Sequence, residues 1–127
     1  MSLLKVALGG GIGAIARYGL LQWLGGVDDG ALPWGTFAAN VFGSLFLGFV
    51  VGLSERGAFG EPVRLFIAVG LLGGFTTFSF FSYENLELLQ GDRYLALIIN
   101  SVGQLAIGLL AAVAGYAAAR RIPHEGP

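Results

Sequence analysis

The chain has no cysteine and a single histidine among its 127 residues. Disulfides, thiolate metal sites and cysteine nucleophiles are therefore excluded, and redox compartment cannot be inferred from cysteine usage. His124 lies in the polar tail His124-Glu125-Gly126-Pro127, where a solvated side chain is the plain reading. Charge is also scarce. Charged residues make up 12% of the chain, against about 25% in an average soluble domain, and so few cannot solvate a globular surface. Seven Lys and Arg with a formal net charge of −1 do not form the cationic cluster that counterion release on a nucleic acid requires. A GxxxxGK phosphate loop, an HExxH zinc helix and a GxSxG nucleophile elbow are all missing from the sequence, so nothing supports enzymatic chemistry.

What is present is apolar and rich in glycine. Hydrophobic residues make up 55%, and there are 22 glycines where average usage would give roughly nine. Four apolar helices are expected, over about 3–24, 33–54, 62–89 and 94–119, each close to or beyond the ~20 residues needed to cross about 30 Å of hydrocarbon. A chain this short cannot build a soluble shell around four buried helices. Lys5, an apolar run and Ala14-Ile15-Ala16 loosely mimic a signal peptide, but only further apolar runs follow, so the segment reads as a first span. The sequence thus predicts an all-α integral membrane protein forming a single transmembrane domain over 1–127.

The links between runs are short and polar, holding Asp28 and Asp29, Arg56, and Asp92 in turn, so consecutive helices should be antiparallel neighbours. Trp23, Trp34 and Tyr94 fall at helix ends on one side, as an interfacial aromatic belt would. An even helix count puts both termini on one face. That face carries Lys5, Arg56, Arg64, Arg120 and Arg121, while the other carries only Arg93, which predicts cytoplasmic termini. Small-xxx-small pairs recur at Gly9/Gly13, Gly48/Gly52, Gly70/Gly74 and Ala111/Gly115, and either packing within the chain or dimerisation explains them.

The stretch Gly73-Gly74-Phe75-Thr76-Thr77-Phe78-Ser79-Phe80-Phe81-Ser82 carries most information. Two glycines followed by two β-branched threonines make a poor helix centre, and a break over 73–77 is expected. Broken backbone at membrane depth survives only where protein or a hydrated cavity satisfies it, and unwound carbonyls can coordinate a cation. After the break Phe78 and Phe81 share one helical stripe, as do Ser79 and Ser82. Ring edges are positive and hydroxyls donate, so both can face a dehydrated anion. Asn40, Gly43 and Ser44 form a stripe on the second helix, and Asn100 precedes Gln104 by one turn on the fourth. Such amides either bond neighbouring helices or donate to an anion without fixed charge. Arg17 is the one cation well inside a span, costly enough to imply a role in anion attraction or pairing, with snorkelling the alternative. Glu84 follows the motif and Glu87 reads as a solvated carboxylate.

The motif residues 73–79, with Phe81-Ser82, resemble the Fluc (CrcB-type) fluoride channels, and Trp34-Gly35-Thr36 with Asn40 and the stretch 11–17 are similar to the family's second- and first-helix signatures. The likeness covers essentially the whole chain. It implies a passive fluoride channel of the cell (inner or plasma) membrane, built as an antiparallel, dual-topology dimer with two pores along the interface. It also implies a structural Na⁺ at the dimer centre, held by backbone carbonyls of Gly73 and Thr76. The pore residues it implies are Asn40, Phe78 and Phe81, with Thr77, Ser79, Ser82, Asn100, Gln104 and Arg17, and with Thr36 and Glu84 near the pore ends. Phe80 stands where the family usually has Thr. A dual-topology homodimer predicts little Lys/Arg bias, so the count of five against one keeps open a heterodimer with an oppositely oriented related subunit. Two other readings compete: a proton-coupled exporter of the small multidrug resistance type, which needs an intramembrane carboxylate, and a non-transporting assembly subunit, which leaves the Thr-Phe-Ser cluster without a use.

Overall fold

The computed structural model describes residues 1–25 and 32–123. Asp28, Asp29 and the tail from His124 lie outside the described residues. All regular structure among the described residues is helical, because each apolar run satisfies its own backbone as a helix. Helix α1 is Ser2–Leu24 and α2 is Trp34–Glu55. The third run begins with Glu61–Arg64, continues as a π-helical stretch, Leu65–Leu72, and closes with Gly73–Phe75; together these form α3. Helix α4 is Phe78–Gln90 and α5 is Tyr94–Arg121. With α3 and α4 taken as one run, four helices are long and apolar enough to cross a membrane. This is a multi-pass membrane architecture.

The interruption of the third run is narrower than 73–77. Gly73 and Gly74 remain helical, and the extended residues are Thr76 (φ −85°, ψ 158°) and Thr77 (φ −152°, ψ 119°). Gly74 has another task, which is to admit α1. A Cβ on Gly13 would lie 2.0 Å from Leu71 O, and one on Gly74 would lie 2.4 Å from Gly10 O, so the two backbones touch directly. Such contact is how membrane helices associate without a hydrophobic driving force. The second close seam joins α2 to α5, where a Cβ on Gly48 would meet Ala112 O at 2.1 Å and one on Gly115 would meet Leu45 O at 2.0 Å. All four small-residue pairs thus lie on or beside seams inside one chain.

The ends of α2 and α5 are tied by polar contacts. Arg56 Nη1 donates to Ala119 O at 2.8 Å and Ile122 O at 2.5 Å, taking up carbonyls that a helix C-terminus leaves without partners. Tyr116 Oη donates to Glu55 Oε2 at 2.6 Å. At the α4–α5 turn Asp92 is left-handed (φ 54°) and accepts from Tyr94 Oη at 2.8 Å.

Burial is inverted relative to a soluble domain. Trp23, Trp34, Phe42, Leu95 and Leu105 are among many large exposed apolar side chains, while Thr36, Thr77, Glu84, Asn100 and Gln104 are buried. In hydrocarbon that is the favourable order, since lipid solvates leucine and cannot solvate an amide.

Candidate functional site

Extended backbone at Thr76 and Thr77 opens the helical ladder. The Thr77 N–H would close a turn onto Gly73 O in an uninterrupted helix. Instead it donates to Asn40 Oδ1 at 2.8 Å, and Asn40 Nδ2 donates back to Thr77 O at 3.0 Å. One side-chain amide on α2 therefore takes up the N–H that the break frees at Thr77 and adds a second donor to the Thr77 carbonyl, which as N-cap also begins the α4 ladder. The Thr77 hydroxyl finishes the repair, and that of Thr76 adds to a carbonyl its own N–H already holds. Thr77 Oγ1 accepts from Phe80 N at 3.2 Å, capping α4, and Thr76 Oγ1 donates to Leu72 O at 3.1 Å. This answers why a threonine stands where the helix restarts: a Thr at an N-cap satisfies one of the four free N–H groups.

A chain of amides runs on from Asn40. Its Nδ2 also donates to Gln104 Oε1 at 2.8 Å, Gln104 Nε2 donates to Asn100 Oδ1 at 2.8 Å, and Asn100 Nδ2 donates to Asn85 Oδ1 at 2.8 Å. The direction of this chain is set by the backbone. A peptide N–H only donates and its C=O only accepts, so Thr77 fixes which atom of Asn40 is oxygen, and each later amide follows.

Arg17 Nη1 donates to Thr76 O at 3.1 Å, and the guanidinium lies 5.6 Å from the Phe80 ring centroid. Arg17 is thus paired inside the protein, and Phe80 is its aromatic seat. Thr36 Oγ1 donates to Glu84 Oε1 at 2.6 Å, while Glu84 Oε2 is buried without a partner.

Beside the break lies a cavity of about 490 Å³, lined by Asn40, Ser44, Thr76, Thr77, Phe78, Phe81, Ser101, Gln104 and Leu105. The Phe78 and Phe81 rings meet with centroids 5.8 Å apart, tilted by 39°. Of the residues singled out in the sequence, Asn40, Thr77, Phe78, Phe81 and Gln104 come together here. Asn100 is fully buried behind Gln104. Ser79 pairs with Thr77 Oγ1 at 3.2 Å and, with Phe80 and Tyr83, lines a separate cavity of about 220 Å³. Ser82 is exposed and outside both cavities. Thr36, Glu84 and Arg17 do not line the larger cavity. Sequence reasoning misses Ser101 and Asn85, and takes Ser44 only as part of the Asn40 stripe. Ser101 is findable, standing three residues before Gln104 on one helix face.

The two carbonyls expected to hold Na⁺ can be compared with what surrounds them. Gly73 O has lost its helical donor to Asn40, and Thr76 O accepts from Arg17 but has a second lone pair. Neutral backbone oxygens at an unwound segment suit a hard cation such as Na⁺, so the donor set fits, with two oxygens per chain.

Four spans enclosing a polar, capped interruption define a multi-pass integral membrane protein with an intramembrane polar site. The sequence profile described as "CrcB-like protein, Camphor Resistance (CrcB)" matches residues 4–116. The protein called fluoride-specific ion channel FluC in one strain of Thermus thermophilus is 48% identical over 113 residues, 89% of each chain. The protein of that name in Chloroflexus aurantiacus is 43% identical over 120 residues, 94% of this chain and 95% of its own. That in Geobacter sulfurreducens is 36% identical over 122 residues, 95% and 98%. The chain belongs to the CrcB family.

Proposed function

We propose that the protein is a passive fluoride-selective ion channel and not an enzyme, the function its relatives are named for. The observation that carries the mechanism is the cavity beside the break. It is lined by aromatic rings, hydroxyls and two amides, with no charged side chain. Fluoride is small and holds its water tightly, so a pore must offer closely placed donors while leaving each site weak enough to release the ion. Positive ring edges at Phe78 and Phe81 meet both needs. A fixed cation in the same wall would hold the ion too long, and the guanidinium of Arg17 is turned instead to the Thr76 carbonyl and the Phe80 ring.

One chain leaves this cavity open on one side, and Phe78 is 79% exposed. An antiparallel partner covering that face would complete two symmetry-related pores, one per cavity. Two copies would also bring four carbonyls, from Gly73 and Thr76 of each, around one Na⁺. That ion would pin the two breaks against each other. Arg56 bears on orientation, because it caps α5 and so has a structural reason to stand on the face rich in Lys and Arg. A homodimer in dual topology is therefore the first reading, with an oppositely oriented related subunit as the alternative. The proton-coupled exporter is less well supported, because Glu84 is bonded to Thr36 and lies off the cavity.

Anion efflux from liposomes holding the purified protein tests the channel. Fluoride is expected to leave without a proton gradient and chloride to stay. Equal rates for the two ions, or fluoride movement only when protons are driven, would overturn it. Phe81→Ile is expected to cut fluoride flux about tenfold or more with the dimer intact, through loss of a positive ring edge.

A further inference from the structure

The amide donors around the cavity can be assigned, and the assignment moves the anion away from Asn40. Its two amide hydrogens go to Thr77 O and Gln104 Oε1, and an amide has no third. The Thr76 hydroxyl donates to Leu72 O, and the Thr77 hydroxyl accepts from Phe80 N and is paired with Ser79 Oγ. What remains is one hydrogen on Gln104 Nε2, since its other goes to Asn100, together with the hydroxyls of Ser44 and Ser101, whose oxygens have no hydrogen-bond partner among the described residues. A serine inside a membrane helix normally bonds back to the carbonyl four residues earlier, as Thr76 does here. Ser44 and Ser101 do not. Two hydroxyls left free on the wall of one cavity, in a molecule otherwise surrounded by lipid, would be costly unless something accepts from them.

Resting on the channel reading above, we propose that the ion's seat lies between α2 and α5, formed by the hydroxyls of Ser44 and Ser101 and the free amide hydrogen of Gln104. Asn40 then serves as a positioning residue, fixing the break and aiming Gln104. Three neutral donors from two helices replace part of the hydration shell, and the edges of Phe78 and Phe81 line the same cavity.

The test is fluoride efflux and single-channel current from reconstituted protein, wild type against Ser44→Ala/Ser101→Ala. The double variant is expected to lose about tenfold or more of the flux and to need more fluoride for half-maximal current. Ser101→Thr, which keeps the hydroxyl, is expected to retain most of both, and Ser54→Ala, on α2 outside the cavity, should change neither. The half-saturating concentration separates a seat from mere packing, which would not move it in the hydroxyl-dependent order. Wild-type flux with an unchanged double variant would overturn the seat and leave the channel standing. Absence of wild-type fluoride flux would sink both.

Discussion

Two seams hold this chain together, and they are built from opposite materials. Between α1 and α3 the contacts are glycine against backbone, with Gly9, Gly13, Gly70 and Gly74 all within 3 Å of a facing atom if given a Cβ. Around α2, α4 and α5 the close approach of Gly48 and Gly115 is joined by directed hydrogen bonds through Asn40, Gln104 and Asn100. Glycine contact fixes a distance and says nothing about direction. Amide bonds fix direction and tolerate small changes of distance. A channel needs the first to hold its helices together and the second to aim donors, and the two tasks fall to different faces of the molecule.

The largest effect should come from filling the first seam. In Gly13→Val the new Cβ would sit 2.0 Å from Leu71 O, and only a backbone shift can relieve that. A destabilisation of about 3 kcal/mol or more is expected, read as loss of monodisperse protein on size exclusion and of fluoride flux. Gly19→Ala is the contrast, because no atom lies within 4 Å of its added Cβ and folding should be unharmed. If Gly13→Val folded and conducted normally, the α1–α3 contact would be dispensable and the comparison of seams would fail.

Breaking direction instead of distance should come next. Asn40→Ala leaves the Thr77 N–H and Gln104 Oε1 without their partner, at about 1–3 kcal/mol for each buried group that finds no other. Flux is expected to fall tenfold or more, with faster hydrogen exchange at the Thr77 amide. Asn40→Asp can still accept from Thr77 N–H but donates nothing, so it should restore protection of that amide and not flux. Full flux in Asn40→Asp would mean that the direction of the amide chain is irrelevant.

The sequence makes one part of this arrangement legible and hides the other for a physical reason. Apolar run length is a local property, so the spans can be read, and Gly-Gly-Phe-Thr-Thr announces a weak point because helix propensity is local too. Which residues mend that weak point is not local. Asn40 reaches Thr77 across 37 positions, and Asn100 reaches Asn85 across 15. A polar residue in an apolar run announces a partner without naming it, so Thr77 and Ser79 read as anion donors although their hydroxyls cap and pair. Likewise Gly73 and Gly74 read as part of the break, whereas Gly74 serves the α1 contact. Small-residue spacing shows that a close approach exists and cannot choose between a sister helix and a second subunit.

Arg17 links the two seams, since it sits on α1 and holds Thr76 O. Arg17→Gln removes the charge-assisted bond and the Phe80 contact, for an expected loss of about 1–3 kcal/mol in stability, measured by thermal unfolding in detergent. Phe80→Leu removes only the ring and should cost about 0.5–2 kcal/mol. If Phe80→Leu matched Arg17→Gln, the guanidinium would matter for its stacking and not for the break.

The smallest effect should lie at the far end of the amide chain. Asn85→Ala takes the acceptor from Asn100 Nδ2 but touches neither Thr77 nor Gln104 directly. Interhelical hydrogen bonds in membranes average about 0.6 kcal/mol, so stability should fall by about that amount and fluoride flux by less than about twofold. The Gln104 amide is still held from both sides, by Asn40 Nδ2 and Asn100 Oδ1, which is why the loss should not travel. A tenfold fall in flux from this one substitution, with stability little changed, would show the amides acting as one cooperative unit. The direction imposed at the break would then depend on the whole chain of donors, and the division of labour between the seams would have to be redrawn around Asn85.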